Sequence, residues 1–393
     1  MNKITSIVIS VLFIGGISIY GLTSWITTDR LTSDIENRSL SQKPKVSKEG
    51  LLSGEFFDNF ESYYNDQLFE RDLLIKTYTL LQLEMRKTII NGVVIGEDGW
   101  LMEAPTTLIE KSKLKTSLEQ INELASYTDS NGVSLYLALA PHKKNILSKK
   151  YPDYLNENIG NERRNYFVEK LDSRINYINL PEYFTDLYSA DELEDMYFKT
   201  DHHWNFKGAL NAYPIIISKM NNLLDSNSKE PIKDYTIRCN DNAKFVGSYS
   251  KKLFKLVDSD SEYQCGSYPD TQKDLTEFSA INSKGKILSN FSEVFGSKLS
   301  NREITYAGLS SGDMAEIHFH YKNKNNTNLL VLKDSYANAI VPFLAQHFSD
   351  TYVLDLRHYK EKSVYQYIKD HDINVVLILY NDTNLSGEMY SFD

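Results

Sequence analysis

From Ile4 to Thr28 no side chain carries a charge, and the run Ile4–Ile26 is apolar almost without interruption. At about 1.5 Å per residue, a helix of that length crosses a hydrocarbon core of about 30 Å. Only the amino terminus and Lys3 precede it as charges, which keeps that end in the cytoplasm and exports the rest. A cleavable signal peptide would have a shorter apolar region and an A-x-A-like site. This segment has no Ala and ends near Trp25, so the expectation is an uncleaved signal anchor over residues 1–28. Polar residues then give way to an apolar face between Glu55 and Ile90, carried by Phe56, Phe60, Tyr63, Tyr64 and Leu81 among others. The spacing is mainly three and four, so residues 29–90 read as a juxtamembrane linker and a helical arm.

Beyond residue 91 the chain alternates between two periods. VVI and WLM flank Gly96-Glu97-Asp98-Gly99, the pattern of a short hairpin. Leu114, Leu118, Ile121 and Leu124 predict a helix from Leu108 to Asp129. Val133–Pro141 is nearly continuous in apolar residues, as in a strand buried on both faces. A helix over Asn161–Asp172, a strand over Ile175–Leu180 and a helix over Phe206–Leu224, interrupted by Pro214, follow. Residues 226–326 are polar and weakly periodic, an insertion of short strands and loops. Strands Asn328–Lys333, Thr351–Asp355 and Val375–Tyr380 then alternate with helices Tyr336–Phe348 and Lys360–Lys369. Such alternation requires crossovers and a parallel sheet, so residues 91–393 are expected to form a three-layer α/β domain.

Composition removes some functions. Among 393 residues, 43 Lys and Arg face 53 Asp and Glu, a net charge of −10 that argues against a nucleic-acid partner. Two Cys cannot build a Cys-based zinc cluster or an iron–sulfur site. In an exported domain Cys239 and Cys265 become candidates for one disulfide, provided that their backbones approach closely.

Two motifs carry candidate chemistry. Asp201-His202-His203-Trp204 precedes a predicted helix and places a carboxylate beside two imidazoles. A carboxylate-held imidazole can take a hydroxyl proton near neutral pH. Asp201 could equally be a helix cap and the His residues structural. Metal binding is disfavoured because adjacent His side chains diverge and no His-Glu-x-x-His motif occurs. The second motif, Lys333-Asp334-Ser335-Tyr336, lies between an apolar strand and a predicted helix. A Ser at the carboxyl end of a parallel strand, with free N–H groups at a helix start, suits a nucleophile beside an oxyanion site. An ordinary helix cap is the bland alternative, but the two motifs together supply nucleophile, base and orienting carboxylate.

These motifs resemble the bacterial DHHW family, itself similar to SGNH-like acetyltransferase domains of alginate, peptidoglycan and secondary wall polysaccharide O-acetylation. The resemblance also takes in ENR at 36–38, FESYYNDQLFERD at 60–72, IGEDGWLM at 95–102, FVGSYS at 245–250, GDM at 312–314 and VLDLRHY around Arg357. It implies an SGNH-hydrolase-like fold and a serine acyl-transfer enzyme, anchored by one helix with its domain outside the membrane. Ser335 would be the nucleophile, His203 the general base and Asp201 its orienting carboxylate, with His202 the runner-up base. No bound cofactor or metal is implied. A membrane-bound O-acyltransferase partner would supply acetyl, and a polysaccharide hydroxyl would receive it. The usual Gly before Asp-Ser is Lys333 here, and Arg357 sits at a recurring family position that fits either a salt bridge to Asp355 or substrate contact. The same residues would also suit a carbohydrate esterase, and a non-catalytic glycan-binding scaffold is the alternative of another class.

Overall fold

The computed structural model describes the chain except residues 1–2, 34, 37, 156, 225–228, 240–242, 258–261, 264, 270–271, 273, 296–302, 311 and 323–325. Two compact units are present: residues 1–91 with 251–257, and residues 92–250 with 258–393.

In the first unit, an apolar helix runs over Lys3–Ile26, long and apolar enough to cross a membrane. The pattern read as one arm from Glu55 to Ile90 is two helices, Glu55–Asp66 and Arg71–Glu84. They part at Glu70, whose positive φ of 50° ends α-helical geometry. A polar network ties residues 30–41 to both helices. The buried Asp66 carboxylate receives Arg38 through both guanidinium ends and the Ser41 N–H, and Arg71 pairs with Glu36 at 2.7 Å. Glu36 and Arg38 belong to the ENR triplet, whose Asn37 lies outside the described residues.

The second unit is built on one sheet. Its strands are β1 (Ser134–Ala140), β2 (Asn176–Ile178), β3 (Leu275–Asn282), β4 (Ile287–Leu288), β5 (Met314–Tyr321), β6 (Asn328–Lys333), β7 (Asp350–Leu354) and β8 (Val375–Asn381). They are ordered β4-β3-β5-β7-β6-β8-β1-β2. β7, β6, β8, β1 and β2 are parallel, as the βαβ spacing predicts. β5, β3 and β4 extend this sheet antiparallel. The sheet is therefore mixed, and segment 226–326 contributes three of its strands.

Alternate residues of the central strands enter opposite cores. Tyr136, Ala138 and Ala140 of β1 pack with helix Phe206–Lys219, whereas Leu135, Leu137 and Leu139 pack with helix Lys111–Ser130. That is why these strands read as unbroken apolar runs. The predicted helix Tyr336–Phe348 is instead three short pieces: Ser335–Ala339, Val341–Leu344 and Ala345–His347. Pro342 explains the break, since it has no N–H to offer the Asn338 carbonyl four residues back. VVI and LME do pair antiparallel, Val93 opposite Glu103.

Strands Tyr235–Cys239 and Cys265–Pro269 pair antiparallel with the two Cys opposite one another, and their sulfurs are bonded. The bridge closes a separation of 26 residues. Replacing both Cys by Ser is expected to lower the unfolding free energy by about 3 kcal/mol through a freer unfolded chain. Denaturant titration reads this directly, and an unchanged midpoint contradicts it.

Candidate active site

β6 ends at Lys333, and the next residue, Asp334, is fully buried. Its carboxylate accepts from Tyr336 N (2.9 Å), Asn381 N (2.7 Å), Asn381 Nδ2 (2.7 Å) and Asn384 Nδ2 (2.9 Å). These bonds fasten the turn after β6 to the end of neighbouring β8. Ser335 then opens a short helical turn and is half-buried. The turn's first bond runs from Ala337 N to Asp334 O. The Ser335 N–H precedes it and is one of the orphan donors of a helix start.

The Asp201–Trp204 segment comes from the other motif, just ahead of helix Phe206–Lys219, which Asn205 caps through Lys207 N. His203 Nε2 lies 2.6 Å from Ser335 Oγ, and His203 Nδ1 lies 2.6 Å from Asp201 Oδ1. Asp201 also accepts from His203 N (3.0 Å) and from Ser248 N (2.6 Å). Ser335, His203 and Asp201 thus converge in one chain of hydrogen bonds. His202 stays close to this chain but bonds elsewhere: its Nδ1 is 2.7 Å from Ser248 Oγ. The His203 ring sits 3.7 Å from the His202 ring and is stacked at 3.7 Å on Tyr306.

Two hydrogen bonds latch the motifs together. Trp204 Nε1 donates to Tyr336 O (3.0 Å), and Tyr336 OH donates to His202 O (2.5 Å). Both rings are completely buried, 5.2 Å apart.

The electrostatics favour a permanently charged Asp201. Burial acts to raise its pKa, but His202, His203 and the Ser248 N–H together hold it well below the ordinary carboxylate value. His142, whose ring lies 6.2 Å from that of His202, is held well below the ordinary imidazole value by burial and then by His202 and Lys144. It is therefore neutral at pH 7. Behind the Asp201 segment, Lys143 donates to Phe198 O (2.8 Å) and Lys199 O (3.0 Å). The Glu262 carboxylate receives Lys199 N, Thr200 N and Thr200 Oγ1. Burial pushes Lys143 down to about 7 and Glu262 up. Sequence reasoning passed over Lys143 and Glu262 and took in Ser248 only within FVGSYS, with no role, because their roles arise from pairings distant along the chain.

Lys333 explains the departure before Asp-Ser. Its buried ammonium lies 3.1 Å from Asp355 Oδ2, and the same carboxylate receives Arg357 through Nε (2.8 Å) and Nη2 (2.6 Å). The Arg357 guanidinium is therefore engaged by Asp355. Burial opposes ionisation of Asp355, yet Lys333 and Arg357 hold its pKa well below the usual range. Asp201, His202 and His203 also each offer one ligand-type atom within 4.8 Å of the others. Of these, His203 Nδ1 and Asp201 Oδ1 are bonded to each other at 2.6 Å.

A family model described as an SGNH hydrolase-like domain, acetyltransferase AlgX, matches residues 93–332. The match includes Asp201 and His203 and stops ahead of Ser335. Among solved structures, PatB1 of Bacillus cereus is 37% identical with a TM-score of 0.70, over 77% of this chain and 99% of that chain. PatB1 has also been solved with a sulfonyl adduct. A DHHW family protein from Eubacterium siraeum shares the fold, with 22% identity and a TM-score of 0.56 over 76% of this chain and 94% of that one. "Probable alginate O-acetylase AlgJ" of Pseudomonas syringae is 22% identical over 177 residues, 44% of each protein. Its namesake in Pseudomonas aeruginosa is 26% identical over 167 residues, 40% of this chain and 41% of the relative. The chain matches less than half the length of these curated relatives.

Replacing Asp355 by Asn leaves the Lys333 ammonium buried without a counter-charge, at an expected cost of about 3–5 kcal/mol. The depressed Asp355 pKa adds stability that is complete above its unfolded value of about 3.9 and is lost as pH falls through the folded value. Thermal melts should therefore separate wild type from Asp355→Asn at pH 7 and converge as the solution is acidified below about pH 4. Equal melting temperatures at pH 7 would rule this out.

Proposed function

The chain belongs to the family of that SGNH hydrolase-like acetyltransferase model, and from this membership and the hydrogen-bond chain we propose a serine O-acetyltransferase acting outside the membrane. The observation that carries the reading is the 2.6 Å approach of His203 Nε2 to Ser335 Oγ, with Asp201 on the opposite ring nitrogen. A serine hydroxyl is a weak nucleophile until a base takes its proton. His203 removes that proton as Ser335 Oγ attacks the donor's acetyl carbonyl. The oxyanion forms against the orphan Ser335 N–H, a type of contact worth about 3 kcal/mol in acyl transfer. The imidazolium formed is stabilised by the Asp201 carboxylate, and its proton leaves with the donor group. In the second half His203 takes a proton from an acceptor hydroxyl, which attacks acetyl-Ser335. The proton then passes from His203 to the departing Ser335 Oγ, so the two half-reactions together leave the triad as it began.

A membrane-bound O-acyltransferase partner supplies the acetyl group, and a hydroxyl of a cell-wall or extracellular polysaccharide receives it. No bound cofactor or metal enters this scheme. The names of the AlgJ relatives, alginate O-acetylases, support the class of acceptor. The apolar helix Lys3–Ile26 supports single-pass anchoring beside a membrane donor.

The sulfonyl adduct of PatB1 suggests the test. Phenylmethanesulfonyl fluoride should label wild type at Ser335, and the protein should turn over an activated acetyl ester. Ser335→Ala and His203→Ala should each lose about a thousandfold or more of that turnover, while His202→Gln stays within about tenfold. A Ser335→Ala protein that still labels and turns over normally sinks the assignment.

A second expectation concerns Gly247. A Cβ there would stand 2.2 Å from Thr200 O and 2.7 Å from Asp201 N, a clash between backbones. Gly247→Ala should therefore displace Asp201 and reduce turnover about a hundredfold with an unchanged far-UV spectrum. Full activity would show that the close approach does not matter.

A further inference from the structure

Ser335 follows β6, and the sheet continues through β8 and β1 to β2 along the same carboxyl edge. In open α/β sheets ligands bind along that edge. A cavity of about 540 Å³ opens beyond the ends of β1 and β2. With strands about 4.8 Å apart, it lies two to three strand spacings from the nucleophile, about 10–15 Å along the edge.

Its walls have a distinct chemistry. Pro141, Ile146 and Pro181 provide an apolar side, while Asn161, Asn165 and Asn179 supply amides. Arg164 is buried and tied up: its Nη1 lies 3.3 Å from Asp382 Oδ2 and 3.0 Å from Asn161 Oδ1. Glu182, paired with Asn179 Nδ2 at 2.5 Å, adds a negative charge. Among the described residues the lining therefore has no cationic surplus with which to compensate an anion. Amide donors and acceptors beside an apolar surface suit a sugar ring, which presents hydroxyl edges and C–H faces. Hydrogen bonds also connect the segment after β8 on this wall to the turn that carries Ser335. Asp382 Oδ1 accepts from His142 N (2.9 Å), and Asn384, two residues on, donates to Asp334 beside Ser335.

We infer that this cavity is an acceptor subsite, holding an uncharged sugar unit of the polysaccharide some units away from the hydroxyl that reacts at Ser335. The inference rests on the acetyl-transfer reading and adds an acceptor that extends across the sheet edge and is neutral at this point. Longer neutral chains therefore gain affinity by reaching the cavity, and polyuronates do not.

The experiment measures acetyl transfer by the full chain to cellobiose, cellohexaose and a hexameric oligomannuronate, with an activated acetyl ester as donor. In wild type, KM should fall about tenfold or more from cellobiose to cellohexaose, and oligomannuronate should show no such gain. Thr185, exposed on the cavity rim, is replaced by Trp to fill the space. Thr185→Trp should abolish the ratio between the two neutral acceptors, and Asn165→Ala should reduce it. A ratio unchanged in Thr185→Trp, or a preference for oligomannuronate, overturns the subsite. So does the lack of any length dependence or any transfer to either neutral chain while the ester is still hydrolysed. Failure of wild type to hydrolyse the ester or accept the sulfonyl label counts instead against the transferase reading itself.

Discussion

The site depends on a latch between two distant stretches of chain. Trp204 donates to the carbonyl of Tyr336, and Tyr336 donates to the carbonyl of His202. Each ring belongs to one motif and bonds the backbone of the other. A buried indole N–H or phenol left without an acceptor would be costly, so both bonds enforce a single relative position. That position sets the 2.6 Å approach of His203 to Ser335 across 132 residues of sequence. Trp204 and Tyr336 need not touch a substrate to decide whether the neighbouring atoms meet.

Around the latch, buried charges set orientation. Asp334 is consumed by four donors and fixes the turn that carries Ser335 to the end of β8. Lys333 points into the Asp355–Arg357 pair, closing the same turn from the other side. Asp201 is held by Ser248 N as well as by His203, so its carboxylate cannot swing away from the imidazole. Asp201 and Asp355 remain ionised because their partners outweigh burial, which gives the site fixed charges before any substrate arrives.

Much of this was legible in the residues, for physical reasons. The parallel strands bury both faces and so read as continuous apolar runs; Ser335 lies in a short motif directly after one of them, and Asp201 and His203 in another just ahead of a helix. The antiparallel β3 and β5 were harder: both have half-exposed faces and a mixed composition, as in LTEFSAIN. The helix after Ser335 looked continuous because apolar spacing does not register the N–H that Pro342 lacks. Lys333 looked like a weakness in the motif, since its partner Asp355 lies 22 residues further along the chain. Pairings of that kind, including Lys143 and Glu262 behind the Asp201 segment, have no local signature.

The central claim is that Ser335 carries the acetyl group between donor and sugar. Rapid-quench mass spectrometry of wild type mixed with an activated acetyl ester tests it most directly. The account predicts one acetyl group on the peptide containing Ser335, lost faster when a polysaccharide acceptor is added, and no such species in His203→Ala. Acetyl found on another residue, or an acetyl-Ser335 whose decay no acceptor accelerates, would contradict it.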